Sequence, residues 1–144
     1  MIDFSTVPPD RTRAIAARAS AAGMAWIDAP VSGGQAGAEN GKLGIMCGGD
    51  QATFDRAKDV LNVYAKALVR IGDAGAGQLT KMVNQICIAG LVQALSEGLA
   101  FAQKSGIDAK LVLEVISKGA AQSWQMENRG NTMIDGKFDF GFAV

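Results

Sequence analysis

The hydrophobic pattern of this chain changes near Gly72, and this change limits the folds that the chain can adopt. Before that point, short apolar runs predict strands that alternate with helices. After it, the apolar residues fit helices only, starting with a long and sparsely charged helix predicted over Gln78–Lys104. A helix that is apolar nearly all round is normally buried, in a core or between subunits. The pattern predicts an α/β fold over 1–72 followed by an all-α region over 73–144.

The first half contains a strand–helix–strand order that is typical of parallel sheets. Strands are predicted over Met1–Phe4, Met24–Asp28, Leu43–Cys47 and Ala67–Ile71, and Asp50 is predicted to cap the helix that follows the third strand. The first two strands imply a right-handed crossover and therefore a parallel pair. Because parallel sheets bind ligands beyond the carboxyl ends of their strands, we expect a ligand near Ser5 and Thr6 and near the loop after Asp28.

Composition excludes several classes of function. The chain has no histidine, which removes histidine-based catalytic triads and most mixed-ligand zinc sites, so no metal is expected. Its 14 basic and 14 acidic residues balance without a basic cluster, which argues against a nucleic-acid partner. The longest uncharged stretch, Met82–Ser96, falls short of the roughly 18 to 20 residues that span a bilayer, so no membrane partner is expected. Cys47 and Cys87 are expected to be buried and reduced, and no secretion signal is recognisable, so the predicted localisation is cytoplasmic.

The segment Val31–Lys42 is predicted to be a glycine-rich loop with a possible anion site at its start. Successive glycines at Gly33 and Gly34 let backbone N–H groups approach a small anion such as a carboxylate, and Ser32 adds a hydroxyl donor. A flexible turn has the same composition, and on glycine content alone it is the better interpretation.

Lys81 and Asn84 lie three residues apart and therefore on one face of the long predicted helix. The face is otherwise apolar, and the lysine is near the positive end of the helix dipole. Both conditions disfavour the ammonium form and should lower the pKa of Lys81 towards the range of a general acid/base. A lysine that extends its ammonium group into solvent is equally compatible with this spacing.

Thr6 follows the first strand and precedes the first helix. Its hydroxyl is placed to contact a cofactor or to cap that helix, and spacing alone favours the cap.

Three segments together resemble the β-hydroxyacid dehydrogenases, the family that includes 3-hydroxyisobutyrate dehydrogenase, tartronate semialdehyde reductase and 6-phosphogluconate dehydrogenase. DAPVSGGQAGAENGKL is similar to their substrate-binding signature, GAGQLTKMVNQ to their catalytic motif, and DFSTVPP to their cofactor-contacting segment. The resemblance implies an NAD- or NADP-dependent oxidoreductase that interconverts a small β-hydroxy acid and its semialdehyde. It also implies part of a Rossmann-type, parallel-sheet domain over 1–72 and the first part of a helical substrate and dimerisation domain over 73–144.

The resemblance also implies a role for each candidate residue. Lys81 would be the general acid/base and Asn84 would orient the reacting oxygen, while Ser32, Gly33 and Gly34 would hold the carboxylate of a small substrate and Thr6 would contact the cofactor. The family's frequent second asparagine is Gln85 here, which leaves the substrate open. The full-length protein is expected to be a homo-oligomer.

One departure from the family pattern concerns the nucleotide fingerprint G-x-G-x-x-G. The only G-x-G is Gly75–Gly77, and Thr80 occupies the third glycine position. We therefore expect the 144 residues to be the middle part of such an enzyme, with weak cofactor binding and little or no turnover alone. A non-catalytic binding or assembly module, or an inactive truncated product, is the alternative, although the retained Lys81 and Asn84 speak against a module.

Overall fold

The computed structural model describes residues 1–139 and confirms an α/β region followed by helices. Contacts divide the chain into two units, Met1–Gln85 and Ile86–Val144, so the division falls inside a helix. The boundary predicted near Gly72 stays a prediction. In chain order the elements are β1 (Ile2–Asp3), α1 (Pro9–Ala21), β2 (Ile27–Asp28), β3 (Val31–Ser32), α2 (Gly34–Glu39), β4 (Leu43–Gly48), α3 (Gln51–Asn62), β5 (Ala65–Gly72), α4 (Ala76–Lys104), α5 (Ala109–Ile116) and α6 (Trp124–Ile134).

The sheet of the first unit is mixed rather than parallel throughout. β1 and β2 are parallel, as predicted, and so are β4 and β5. The expectation of a parallel-sheet remnant is corrected at β4, which runs antiparallel to both β2 and β3. Connection length explains the difference, because α1 and α3 provide full crossovers for the parallel pairs. The shorter connection through α2 returns the chain as an antiparallel neighbour.

The predicted glycine-rich loop over Val31–Lys42 is also corrected, since the structure forms β3 and α2 there. β2 and β3 follow one register along β4: Asp28 pairs with Gly48 and Ser32 with Gly44. Between these pairs the Met46 N–H donates to the Pro30 carbonyl at 3.1 Å. The chain from Asp28 to Ser32 is therefore one extended run, and Pro30 does not turn it away from the sheet.

Four strands end in one row across the sheet. Asp3 pairs with Asp28, Asp28 with Gly48, and Gly48 with Gly72, and each is the last residue of its strand. The segments that follow β1, β4 and β5 therefore all leave from this row. This arrangement brings distant parts of the sequence to one place, where α4 begins.

The core of the first unit packs helices against the sheet. Its fully or nearly fully buried apolar side chains come from β2, β4, α3 and the residue after β2, and they are Ile27, Ala29, Leu43, Ile45, Cys47, Phe54 and Leu61. The predicted cap at Asp50 is confirmed, because its side chain accepts a hydrogen bond from the Thr53 N–H at 2.9 Å. Such a cap satisfies a backbone donor that the helix itself leaves free.

The second unit has a separate core between α4, α5 and α6. Leu95 and Leu99 of α4 pack with Leu113 of α5 and Met126 of α6, all four nearly inaccessible to solvent. Caps at Asp108 and Ser123 fix the starts of α5 and α6. These contacts bury only one stripe of α4.

The described residues bury α4 in a core along one stripe only, so burial of its remaining surface between subunits stays a prediction. Ile86 is 73% exposed and Phe101 71% exposed, because the described residues provide no element that covers them. By length and hydropathy α4 is the one helix of the described chain that could cross a membrane. This property is weak evidence, because core helices of water-soluble proteins share it.

The two cysteines differ in environment, so the expectation that both are buried is only half right. Cys47 is buried in the first core, and Cys87 on α4 is exposed. Burial raises the pKa of the Cys47 thiol to about 11, and the negative charge of Asp28 adds to the effect. Cys47 is therefore an unreactive core residue at neutral pH.

Candidate functional site

The first turn of α4 is fixed by the buried carboxylate of Asp28. The Asp28 side chain is inaccessible to solvent, and its Oδ1 accepts a hydrogen bond from the Gly75 N–H at 2.8 Å. Its Oδ2 accepts a second from the Gln78 N–H at 3.1 Å. The free N–H groups and the positive dipole of a helix N-terminus both stabilise a negative charge, which offsets the cost of burying it.

Gly77 allows α4 to approach the sheet closely. A Cβ atom at this position would lie 2.8 Å from Asp28 Oδ2, 2.9 Å from the Asp28 carbonyl oxygen and closer still to the Met46 carbonyl oxygen. Any side chain larger than a hydrogen would therefore push the helix away from β2 and β4.

The same contacts explain why the Gly75–Gly77 pair does not fit a pyrophosphate. The helix N–H groups that would bind such an anion, those of Gly75 and Gln78, already donate to Asp28. The Thr80 hydroxyl donates within the helix to the Ala76 carbonyl at 2.8 Å. Within this G-x-G, Gly77 therefore allows α4 to pack against the sheet, and other residues would have to bind a nucleotide phosphate.

Thr6 lies in the segment that connects β1 to α1, and it does not cap α1. The helix begins at Pro9 with Pro8 as its N-cap residue and without a side-chain cap, so the predicted cap is wrong. Prolines preset the backbone for the first turn and move the helix start two to three residues beyond Thr6. The Thr6 side chain is exposed and remains available to a ligand.

The Gln78 side chain joins this segment to α4. Its Nε2 donates to the Ser5 carbonyl at 2.7 Å, and its Oε1 accepts from the Val7 N–H at 3.2 Å. Gln78 is only 1% exposed. The structure therefore brings together Thr6, Asp28 and the start of α4.

Lys81 lies one turn beyond Gln78 and is half-buried. Within residues 1–139 its amine has no ion-pair or hydrogen-bond partner in the structure. Burial lowers the pKa of Lys81 below the ordinary value of 10.5, in the direction expected from the sequence. An amine of this kind holds its proton less tightly than a surface lysine does.

Asn84 follows Lys81 by one further turn and is also half-buried. Its Nδ2 donates to the Gln85 Oε1 at 2.9 Å, which leaves the Asn84 carbonyl oxygen available to another partner. The two side chains share a helix face, as the spacing requires.

Ser32, Gly33 and Gly34 form the junction between β3 and α2. Ser32 is half-buried and held in the sheet opposite Gly44, while both glycines are exposed. Gly33 has φ 130° and Gly34 has φ 62°, conformations that strongly favour glycine. No hydrogen bond within residues 1–139 joins this junction to Lys81, so their cooperation in one site stays a prediction.

Sequence reasoning missed Asp28 and Gln78 as organisers of the site. The sequence offers one signal for each: a carboxylate at the end of an apolar strand, and an amide in the first turn of a long helix. Neither signal identifies the hydrogen-bond partner. Asp28 binds the backbone of Gln78, about 50 residues later in the chain, and the Gln78 side chain binds Ser5, about 70 residues earlier. Only the shared row of strand ends brings them into contact.

The lowered pKa of Lys81 leads to a prediction that needs no ligand. When the lysines of the chain are dimethylated with ¹³C, the Lys81 resonance should titrate with a midpoint below those of the exposed lysines, since burial disfavours the ammonium form. Loss of one resonance in Lys81→Arg assigns the signal. A midpoint equal to or above those of the exposed lysines would contradict the half-buried placement.

Comparisons with known proteins agree with this architecture. Residues 1–72 match a family model described as the NAD binding domain of 6-phosphogluconate dehydrogenase. Residues 75–144 match one described as the NAD-binding region of NADP-dependent 3-hydroxyisobutyrate dehydrogenase.

Individual relatives agree as well. An uncharacterised oxidoreductase of Shewanella frigidimarina is 60% identical over all 144 residues, which make up 50% of its length. The 2-hydroxy-3-oxopropionate reductase of Escherichia coli is 39% identical, again over all 144 residues and 49% of its length. The structure of 3-hydroxyisobutyrate dehydrogenase from Mycobacterium tuberculosis, solved with L-serine, superposes with a TM-score of 0.88 at 34% identity and covers 99% of this chain and 51% of that one.

The chain thus spans about half the length of the curated relatives it matches. The family models account for both its α/β and its helical part, and the same fold occurs in a solved 3-hydroxyisobutyrate dehydrogenase. The three sequence segments quoted above fall within these matches. On this evidence the chain belongs to the β-hydroxyacid dehydrogenase family of NAD- or NADP-dependent oxidoreductases.

Proposed function

We propose that this chain carries the catalytic lysine of an NAD(P)-dependent oxidoreductase that interconverts a small β-hydroxy acid, similar to 3-hydroxyisobutyrate, and its semialdehyde. The observation that carries the proposal is the placement of Lys81. Its amine is half-buried, has a lowered pKa, and lies one turn from the residue that binds the Thr6 segment. These are properties of a group that exchanges a proton with a substrate.

Lys81 acts as the general acid/base in this proposal. When the hydroxy acid is oxidised, the neutral amine accepts the proton of the substrate hydroxyl. When the semialdehyde is reduced, the ammonium returns that proton to the carbonyl oxygen. Asn84, on the same helix face, orients this oxygen through its side-chain amide.

The remaining candidate residues bind and orient. Ser32 supplies a hydroxyl donor, and Gly33 and Gly34 allow a carboxylate to approach the backbone without a side chain in the way. The exposed Thr6, in the segment that connects β1 to α1, contacts the nicotinamide end of the cofactor. NAD(P) supplies the hydride acceptor or donor when bound. The described residues are placed for that end of the cofactor only, because Asp28 already accepts hydrogen bonds from the Gly75 and Gln78 N–H groups at the start of α4.

The proposal also includes an oligomeric state and a cellular location for the protein. The exposed apolar surface of α4 favours a homo-oligomer, because contiguous apolar surface of this kind is normally covered. A cytoplasmic location, with no nucleic-acid or membrane partner, remains the expectation from composition.

The second candidate function is a binding or assembly module without chemistry. The exposed apolar surface of α4 is the observation that favours it. Such a module has no need for a half-buried lysine whose charged form is disfavoured by burial. The enzyme is therefore the better-supported function.

The test is an assay of a chimera in which the flanking segments of the Shewanella frigidimarina relative complete this chain. We expect the chimera to oxidise 3-hydroxyisobutyrate or reduce 2-hydroxy-3-oxopropionate with NAD(H) or NADP(H). The 144-residue chain alone should show no turnover and no micromolar cofactor affinity. A folded chimera that turns over neither substrate class with either cofactor would favour the module instead.

A further inference from the structure

One buried side chain holds both peptide groups that flank Thr6. The Ser5 carbonyl belongs to the peptide before Thr6, and the Val7 N–H belongs to the peptide after it. Both bond to the Gln78 carboxamide, at 2.7 Å and 3.2 Å. Because one planar amide binds the two peptide planes, the φ and ψ angles of Thr6 are fixed between them.

The chemistry at this position requires a neutral amide of this length. The Ser5 carbonyl needs a donor and the Val7 N–H needs an acceptor, and a carboxamide offers both at once. A carboxylate would lack the donor and would place a second negative charge beside Asp28, whose Oδ2 already accepts the Gln78 N–H. An apolar side chain would leave both peptide groups without partners.

Gln78 also has a fixed relation to Lys81. The two residues lie three apart on α4, so about 4.5 Å of helix rise separates their backbones. The backbone of Gln78 is held by Asp28, and its side chain holds the Thr6 segment. One residue thus connects Lys81, which the proposed function makes the proton-transferring group, with Thr6, which it places against the cofactor.

We propose that Gln78 is a positioning residue that holds the Thr6 hydroxyl at a set place relative to Lys81, so that cofactor and proton donor meet the substrate together. Gln78 itself touches neither substrate nor cofactor in this role. The expected effect of Gln78 on cofactor binding rests on the proposed function. The hydrogen bonds of its side chain to Ser5 and Val7 do not depend on that function.

The first experiment measures the geometry in the 144-residue chain. In Gln78→Met, which keeps the length and loses both hydrogen bonds, hydrogen exchange of the Val7 amide should become at least about tenfold faster. Amides of β4 should keep their rates. Gln93→Met on the exposed face of the same helix is the matched control and should leave Val7 unchanged. Unchanged exchange at Val7 in folded Gln78→Met would overturn the proposal.

The second experiment measures the consequence in the chimera. Gln78→Met should weaken cofactor binding about tenfold, measured by quenching of protein fluorescence, because Thr6 is no longer held in place and the loss of one hydrogen bond to the cofactor corresponds to up to about this factor. The KM for the cofactor should rise more than the KM for the substrate. If Gln78→Met fails to fold, Gln78→Asn takes its place, since its amide is one methylene too short to reach both peptide groups.

The outcomes separate this inference from the proposed function. Fast exchange at Val7 with unchanged cofactor affinity would show that Gln78 is merely structural, and would overturn the positioning role alone. A parent chimera that binds no cofactor at all would overturn both. Fast exchange together with weakened cofactor binding supports the inference even where turnover is too slow to measure.

Discussion

Replacing Lys81 with alanine in the chimera is expected to lower turnover about 10² to 10⁴-fold, the range that general acid–base catalysis contributes. The amine is half-buried, and burial lowers its pKa, which makes its proton easier to release than that of a surface lysine. Alanine provides no group that could exchange a proton with the substrate oxygen. Cofactor affinity should stay within about threefold, because Thr6 and Gln78 are unchanged. Steady-state rates and a separate cofactor titration measure both quantities.

Two further variants distinguish proton transfer from charge alone. Lys81→Arg keeps the positive charge, but a guanidinium does not release its proton in proteins, so turnover should stay as low as in the alanine variant. Lys104→Ala removes an exposed charge from the last turn of the same helix and should keep the parent rate. Near-normal turnover in Lys81→Ala would end the catalytic assignment.

The direction of the pH dependence follows from the role of the amine. Oxidation needs the neutral amine, so kcat/KM for the hydroxy acid should rise with pH up to the pKa of Lys81. That pKa lies below 10.5, because burial disfavours the ammonium form. Reduction needs the ammonium, so its rate should fall over the same interval. Opposite pH dependences of the oxidation and reduction rates would identify Lys81 as the general base of the one reaction and the general acid of the other.

The elements that sequence reasoning predicted well are those with a strong local signal. The cap at Asp50 places the start of α3, because a carboxylate before an apolar-periodic run satisfies free N–H groups. The change from strands to helices was visible in the spacing of apolar residues. The face shared by Lys81 and Asn84 follows from helix geometry alone.

The features that escaped prediction depend on contacts between distant segments. Nothing local to Val31–Lys42 distinguishes a glycine-rich loop from a strand end and a short helix, and the register along β4 decides the outcome. The hydrogen bonds of Asp28 and Gln78 likewise depend on where four strands end. Threonine is a residue type common at helix N-caps, which favoured Thr6 as the cap, but the prolines that follow it set the start of α1.

Replacing Gly77 with alanine is expected to destabilise the first unit by about 1 to 2 kcal/mol net, because overpacking of a tight contact costs up to about 3 kcal/mol. The added Cβ would lie 2.8 Å from Asp28 Oδ2 and 2.9 Å from the Asp28 carbonyl. Backbone atoms of the sheet cannot yield as a flexible side chain can. Alanine's better helix propensity, about 1 kcal/mol, offsets only part of this cost.

Gly90 on the same helix provides the matched control. A Cβ there would meet nothing within 4 Å, so Gly90→Ala should leave stability unchanged or raise it by up to about 1 kcal/mol. Urea unfolding reports the difference, with Trp124→Phe as the background. The fluorescence then comes from Trp26, which is buried in the first unit. A Gly77→Ala variant as stable as Gly90→Ala would contradict the close approach of α4 to the sheet.

The Gly77 variant also tests whether the helix start and the site form one assembly. If the added methyl group moves the first turn of α4 outward, the Gly75 and Gln78 N–H groups move away from Asp28, and the Gln78 carboxamide moves away from Ser5 and Val7. Exchange of the Val7 amide should then accelerate in Gly77→Ala, although residue 77 has no hydrogen bond to Val7. Acceleration there and none in Gly90→Ala would show that one close contact between helix and sheet sets the position of Thr6.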